Sequence, residues 1–334
     1  MTTERRRDPL TGEWRTFSAH RQERTFLPPT SRCPLCPTRD PASPTEVPWT
    51  KFDIAVFDNR FPSLVAQPPA PTSAAGPLYD VAPATGATEV IVYSDDHDAT
   101  LAALGHDRLR LLVDVWAERY AALGSRGDVE YVFVFENRGE AVGVTLHHPH
   151  GQVYAYPEVP PLPARELAEA RRHMAVHGTC VLCDVVGEER ARGVRVVAQS
   201  DAFIAFVPFA ARFPFEVHVV TQRHAPSLLD LSETEREALA SMLEELVGGY
   251  DRLFGFALPY VMSVHQAPTG DGGWEPVSHL HIEFTPFHRR ADRLKYLAGS
   301  ELGAGAFLND VTPERAAADL RAALRSPVTR ATAD

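Results

Sequence analysis

The sequence predicts an α+β protein made of two similar halves, each a mainly antiparallel sheet with packed helices. Three observations predict it. One order of parts occurs twice: a Cys-x2-Cys pair, a distant His, a helical stretch, a β-rich run and a His-x-His. Each copy sets one long amphipathic helix among short β-branched and aromatic runs. Between the copies lies the proline-rich stretch Pro157 to Pro163, because proline continues neither a ladder nor a helix interior. The expected domains are therefore residues 1–160 and 161–334.

In the first half, Glu89-Val90-Ile91-Val92-Tyr93 reads as a strand, Leu101 to Leu123 as an amphipathic helix, and Glu130 to Phe135 as a strand. Residues 143–156 read as a further strand carrying histidines. The stretch from Ala66 to Thr88, rich in Pro, Ala, Thr and Gly, reads as a surface loop. In the second half, 194–198, 202–207 and 215–220 read as strands, Ser232 to Phe254 as a helix, and 259–265 and 278–285 as strands.

With 44% hydrophobic and 23% charged residues, the 334-residue chain has the balance of a globular protein rather than a disordered or fibrous one. A net charge of −11 argues against a protein that grips a nucleic acid polymer by its phosphates, though not against one phosphorylated small molecule held by a few arginines. No run of about 18 apolar residues is present, so no membrane-spanning helix is expected. The opening MTTERRRDPL has arginines without an apolar stretch behind them, so no secretory signal is expected and the cytoplasm is the expected compartment.

All four cysteines fall in two pairs, Cys33/Cys36 and Cys180/Cys183. In a reducing compartment, two thiolates three residues apart on a tight turn suit one tetrahedral zinc. The repeat supplies the missing ligands. His97 and His148 follow the first pair, and His224 and His279 the second, so each half carries a Cys, Cys, His, His set. His218, on the run Phe215-Glu-Val-His-Val-Val220, is a local rival to His224.

Residues 143–156 carry the strongest chemical signal. On an extended chain His148, His150 and Gln152 share one face while His147 points the other way. With His148 committed to metal, His150 is presented at a fixed place, and a neutral imidazole there is a nucleophile toward phosphorus. Gly151 is expected to let a phosphate approach the backbone, and the Gln152 amide to donate to a phosphoryl oxygen without adding charge. A plainer alternative makes all three histidines metal ligands.

The block His148-Pro149-His150-Gly151-Gln152, preceded by Phe135-Glu136-Asn137-Arg138-Gly139, resembles the active-site block of the galactose-1-phosphate uridylyltransferase family, within the histidine-triad superfamily. Supporting pieces span the chain: Asp8-Pro9-Leu10-Thr11-Gly12-Glu13-Trp14, Ser18 to Arg24, Phe57-Asp58-Asn59-Arg60-Phe61-Pro62, Val207-Pro208-Phe209-Ala210 and Pro214-Phe215-Glu216. The resemblance implies two duplicated histidine-triad-like halves and a nucleotidyltransferase. In it, His150 takes UMP from UDP-glucose and passes it to galactose 1-phosphate by ping-pong double displacement. It further implies that Gln152 stabilises the intermediate, that Arg21 and Arg24 bind phosphate, and that Phe57, Asn59 and Phe61 hold the uridine. Asn137 and Thr145 would reach the phosphates or sugar, Lys295 and Glu301 the hexose, and the assembly would be a homodimer with sites near the subunit boundary.

The chain also departs from the family. Thr145-Leu146-His147 stands where familiar members carry Ser-Asn-Pro, and His147 offers itself as an alternative to His148. Ser300 stands at the place of a sugar-contacting Tyr. Some bacterial members lack the second cysteine pair and bind iron through a Glu and three His. Glu166 and His265 resemble two of those ligands, with His281 and Glu283 at the remaining positions. Because Cys180 and Cys183 are retained, the chain resembles the two-zinc members instead, and Glu166 is expected to be an ordinary surface carboxylate. Two other functions stay open: an ADP-glucose phosphorylase or other nucleotidyltransferase with the same covalent chemistry, and a zinc-stabilised binding protein without catalysis.

Overall fold

A computed structural model describes residues 3–326. Nine strands form one antiparallel sheet, in the order β3-β5-β7-β6-β11-β12-β10-β9-β8. The first half contributes β3 (Ala55–Asp58), β5 (Ala87–Val92), β6 (Tyr131–Arg138) and β7 (His150–Tyr156). The second contributes β8 (Val196–Gln199), β9 (Phe203–Phe206), β10 (Val217–Thr221), β11 (Tyr260–His265) and β12 (His281–Pro286). Reading outward from the centre gives β6, β7, β5, β3 on one side and β11, β12, β10, β9 on the other, with β8 as an extra edge strand beyond β9. The sequence repeat is thus a mirrored strand order, and the two copies are sewn together where β6 pairs with β11, from Tyr260 opposite Arg138 to Val264 opposite Val134.

One face of this sheet is dry. Helix α1 (His106–Gly124) buries Leu109, Leu112, Val113, Trp116, Ala117, Tyr120 and Leu123, the three-and-four spacing of one helical stripe. Helix α4 (Glu233–Phe254) does the same with Leu239, Met242, Leu243, Leu246, Val247 and Tyr250. Both belong to the main core, as does α5 (Pro313–Arg325), which packs on α4. Helix α4 begins with a capping box, Ser232 accepting from the Glu235 amide while Glu235 accepts from that of Ser232. It ends at Gly255, whose φ of +78° an L side chain disfavours.

The other face carries the chemistry, because strand alternation divides β7. Gly151, Val153 and Ala155 turn into the core, and His150, Gln152, Tyr154 and Tyr156 turn away from it. Helices α2 (Pro161–His177) and α3 (Val181–Arg192) lie on the second half. Outside the main sheet, β1 (Thr3–Arg7), β2 (Trp14–Ser18) and β4 (Val81–Pro83) make a three-stranded sheet, and β13 (His288–Arg290) pairs with β14 (Arg293–Leu294).

Several boundaries differ from expectation. The helix expected from Leu101 is a short 3-10 turn over Leu101–Ala103, and α1 starts only at His106 because Gly105 breaks the helical path with a φ of +80°. Residues 143–149 are not strand; the ladder starts at His150, after Pro149, whose ring nitrogen has no proton to donate. The proline-rich break is shorter than expected, because Pro161 opens α2 at the first helical position, where an amide proton has no partner to lose. The Ala66 to Thr88 stretch contains β4, paired with β1 through Arg6 and Val81, and the first residues of β5.

The α4 cap gives a stability prediction. Arg223 holds the Glu235 carboxylate at 2.7 Å, and with the cap lowers its pKa to about 2 from the ordinary 4.5. Stabilisation from a depressed carboxyl is complete above the unfolded pKa and disappears as pH falls through the folded one. Glu235→Gln should therefore destabilise by about 1 kcal/mol at neutral pH. In urea unfolding measured across pH, the gap to wild type should close between about pH 4.5 and pH 2.

Candidate active site and metal centres

The two Cys, Cys, His, His sets are each brought together, with all four donor atoms within 4.8 Å of one another. In the first, Cys36 Sγ lies 3.3 Å from His97 Nδ1 and 3.5 Å from His148 Nδ1. In the second, His279 Nδ1 is 3.5 Å from both Cys180 and Cys183, and His224 Nδ1 is 3.7 Å from Cys183. A tetrahedron with metal–sulfur bonds of about 2.3 Å and metal–nitrogen bonds of about 2.0–2.1 Å has a sulfur–nitrogen edge of about 3.5 Å.

The second nitrogens fix the tautomers. His148 Nε2 faces the Ser94 carbonyl at 2.7 Å, His279 Nε2 the Thr221 carbonyl at 2.9 Å, and His224 Nε2 the Glu275 carbonyl at 2.8 Å. A carbonyl only accepts, so each Nε2 carries the proton and each Nδ1 lone pair faces its cysteines. Burial, then the neighbouring thiol, pushes the Cys36 and Cys183 pKa values up to about 12. Such a pair is stable as thiolates when a cation sits between them, and the donor sets fit one. His147 is exposed and lies 3.4 Å from Glu140, and His218 bonds Glu216 at 3.1 Å; neither faces a cysteine.

His150 follows His148 by two residues. Its Nδ1 lies 2.7 Å from the His148 carbonyl, so Nδ1 carries the proton and Nε2 keeps its lone pair. Burial lowers its pKa, opposed by that hydrogen bond, so the neutral, nucleophilic form is favoured. The ring stands between two clefts. Arg24, Asn59, Phe61, Thr145 and Gln152 border one with it, and Asn137 and His148 the other. Arg21 donates to the Phe61 carbonyl at 2.9 Å and to Tyr154 at 3.3 Å. Asn59 caps the Phe61 amide at 2.9 Å.

Other expected contacts lie elsewhere. Phe57 packs with Cys36, Phe52 and Leu146 on the small core around the first cysteine pair. Lys295 and Glu301 form a buried ion pair at 3.0 Å and border neither cleft at His150. Gly151 faces inward, so its missing side chain opens no room for a phosphate. A Cβ there would meet the Tyr93 hydroxyl at 2.2 Å. Sequence reasoning also missed Tyr154, although its position two residues beyond Gln152 is the signal for a shared face.

The second half repeats the anchoring with a different partner. His281 Nδ1 faces the His279 carbonyl at 2.8 Å, as His150 does that of His148. Where Gln152 follows His150, Glu283 follows His281. Glu166 is not the surface carboxylate expected: α2 carries it over β11, where it lies 2.7 Å from His265 Nδ1. Glu166, His265, His281 and Glu283 place four donor atoms within 4.8 Å of one another beside a cavity of about 400 Å³. Burial alone would raise the Glu283 carboxyl, but His218, His265 and Arg212 hold it well below the usual range. Two carboxylates there would repel a phosphoryl group that Gln152 would accept.

The duplicated sheet, with its two Cys, Cys, His, His sets, belongs to a nucleotidyltransferase, as the known proteins it is similar to establish. Residues 1–160 match the galactose-1-phosphate uridyl transferase N-terminal domain and residues 166–331 its C-terminal domain. Galactose-1-phosphate uridylyltransferase of Thermotoga maritima is 37% identical over 321 residues, covering 95% of this chain and 98% of that one. A solved uridylyltransferase structure superposes with a TM-score of 0.86 at 36% identity, covering 96% of this chain and 98% of that one. An ADP-glucose phosphorylase from Arabidopsis thaliana shares the fold, with a TM-score of 0.73 at 22% identity and coverage of 98% of this chain and 100% of that one. The chain belongs to the galactose-1-phosphate uridylyltransferase family.

The separation of the two cysteine sets gives a test. Cys33→Ser should remove metal from the first set only and Cys180→Ser from the second only, so elemental analysis should show each variant losing about half of the cysteine-bound metal. Loss of both equivalents in either variant would mean that the sets are not independent.

Proposed function

We propose that this protein transfers UMP from UDP-glucose to galactose 1-phosphate through a covalent uridylyl–His150. The observation that carries the reading is the hydrogen bond from His150 Nδ1 to the His148 carbonyl, which leaves Nε2 as the free nucleophile. The Nε2 lone pair attacks the α-phosphorus of UDP-glucose, a P–N bond forms, and the bond to the β-phosphate oxygen breaks to release glucose 1-phosphate. The ring is then cationic, and Nδ1 keeps its proton, hydrogen-bonded to the His148 carbonyl, which stabilises that charge. A phosphate oxygen of galactose 1-phosphate next attacks phosphorus from the vacated side and expels neutral His150, giving UDP-galactose.

Supporting roles follow the geometry. The Gln152 amide donates to phosphoryl oxygens during both steps without the charge that would trap the intermediate. Arg24 and Arg21, backed by Tyr154, offer guanidinium donors to the nucleotide phosphates, and Asn59 and Phe61 line the uridine side. Asn137 and Thr145 border the clefts where phosphates or sugar would pass. Cys33, Cys36, His97 and His148 would hold one zinc and Cys180, Cys183, His224 and His279 a second, the soft thiolate–imidazole donors being those zinc prefers. Zinc in the first set would fix the strand start from which His150 projects. Glu166, His265, His281 and Glu283 offer oxygen and nitrogen donors to a further divalent cation, iron among them.

A cytoplasmic homodimer completes the reading. Lys295 and Glu301, which the family resemblance assigns to the hexose, are buried against one another at 3.0 Å in this chain.

Intact-protein mass spectrometry tests the chemistry. UDP-glucose should add one UMP to the protein, His150→Gly should abolish the adduct, and galactose 1-phosphate should discharge it. A larger adduct yield with ADP-glucose would favour the phosphorylase alternative, and no adduct with either donor would favour a binding protein. Elemental analysis should give zinc as the metal of the cysteine sets.

A further inference from the structure

The space behind the nucleophile is filled by one side chain. A Cβ built on Gly151 would lie 2.2 Å from Tyr93 Oη, 3.0 Å from its Cζ and 3.2 Å from the Phe135 carbonyl oxygen. Real Cβ atoms essentially never approach within 3.0 Å of such an atom. Tyr93 is fully buried and touches the same stretch of backbone a second time, its amide donating to the Pro149 carbonyl at 3.1 Å. His150 lies between these two contacts.

The phenol is itself held. Its hydroxyl donates to Glu136 Oε2 at 3.4 Å, and Tyr260 donates to Glu136 Oε1 at the same distance. Glu136 is 5% exposed, and no step of the transfer reaction uses it. On β6 it follows Phe135, which pairs with Gln152, so its carboxyl lies under the strand of the nucleophile. Arg138, the nearest cation on that strand, is engaged by Asp251 at 2.8 Å and lies over the Tyr260 ring. Burial pushes the Glu136 carboxyl up to about 7, with Arg138 opposing, so a neutral or a charged carboxyl can accept from both phenols.

We infer that Tyr93, held by Glu136, is a positioning residue for His150. Its phenol sets how deep the 149–151 backbone sits on the sheet, and so where His150 Nε2 and the Gln152 amide stand relative to phosphorus. The inference rests on the transfer reaction proposed above. It assigns to Gly151 a packing requirement rather than a phosphate-binding one: residue 151 lacks a side chain because the Tyr93 hydroxyl occupies its place. Attack on phosphorus is sensitive to such placement, since a displacement of about 1 Å can cost about 100-fold in rate.

The test uses the full-length, metal-loaded protein and reads the rate of UMP adduct formation against UDP-glucose concentration, with thermal unfolding in parallel. Tyr93→Phe should slow the maximal labelling rate about fivefold or more while the half-saturating UDP-glucose concentration stays within about twofold. Glu136→Ala should behave likewise, and Glu136→Gln, which restores an acceptor for Tyr93, should recover part of the loss. Gly151→Ala should lose about 100-fold, and adding Tyr93→Phe, which removes the atom at 2.2 Å, should return about tenfold of it. Should Gly151→Ala not fold, Tyr93→Phe and the Glu136 pair decide the matter. Tyr93→Phe at the wild-type labelling rate, with only its unfolding temperature changed, overturns the inference, as does a folded double variant no faster than Gly151→Ala. Failure of the wild-type protein to label would instead strike at the transfer reaction itself.

Discussion

Everything at the active site depends on carbonyl oxygens that leave imidazole nitrogens no choice of tautomer. Ser94 accepts from His148 Nε2, so His148 offers Nδ1 to the cysteine set; the carbonyl of His148 accepts from His150 Nδ1, so His150 offers Nε2 to the cleft. Three residues of backbone thus connect the histidine that faces the cysteines to the histidine that faces the cleft, and neither ring has another proton arrangement that keeps its partner satisfied. Because each link is a main-chain oxygen, no side-chain substitution removes it directly. Only a shift of the strand would, which is why the packing beneath Gly151 bears on chemistry above it.

The two halves keep that arrangement and reverse its electrostatics. His150 and His281 hang from equivalent carbonyls on strands at mirrored places in the sheet. Beside His150 stands a neutral amide, and the arginines lie across the cleft. Beside His281 stands Glu283, with Glu166 and Glu216 close by and Arg212 and His218 spent on neutralising them. A phosphoryl group entering the second site would meet carboxylates, whereas a cation would meet ligands. The same fold therefore carries a pocket lined by arginines and a neutral amide and a pocket lined by carboxylates, the change at position 152 against 283 being joined by Glu166 and Glu216.

Much of this is legible in the sequence alone. The two cysteine pairs, their histidines and the His-x-His endings are spacings, and spacings survive translation into a fold; strands and the two long helices follow from period and composition. Three things were not legible, each for a physical reason. Strand alternation was extended too far back, because Pro149 interrupts the ladder between His148 and His150. Glu166 read as a surface residue because its partner His265 is 99 residues away, a tertiary contact with no local trace. Gly151 was read by what a glycine permits on the open face, while its cause lies on the buried face, in a tyrosine on a neighbouring strand. Lys295 and Glu301 mark a further limit: a Lys and a Glu six residues apart read equally as sugar contacts or as partners of one another, and in the fold they form a buried ion pair.

The seam at β6 and β11 has one more consequence. Two edges that would each invite a foreign strand are closed on one another, so the molecule is in effect a dimer of like units joined by peptide bonds rather than by affinity. Units that meet only at a concentration-dependent interface must remain copies of one gene and change together. Units spliced into one sheet are free to diverge while staying in register, and one half can exchange an amide for carboxylates beside its histidine without putting the assembly at risk.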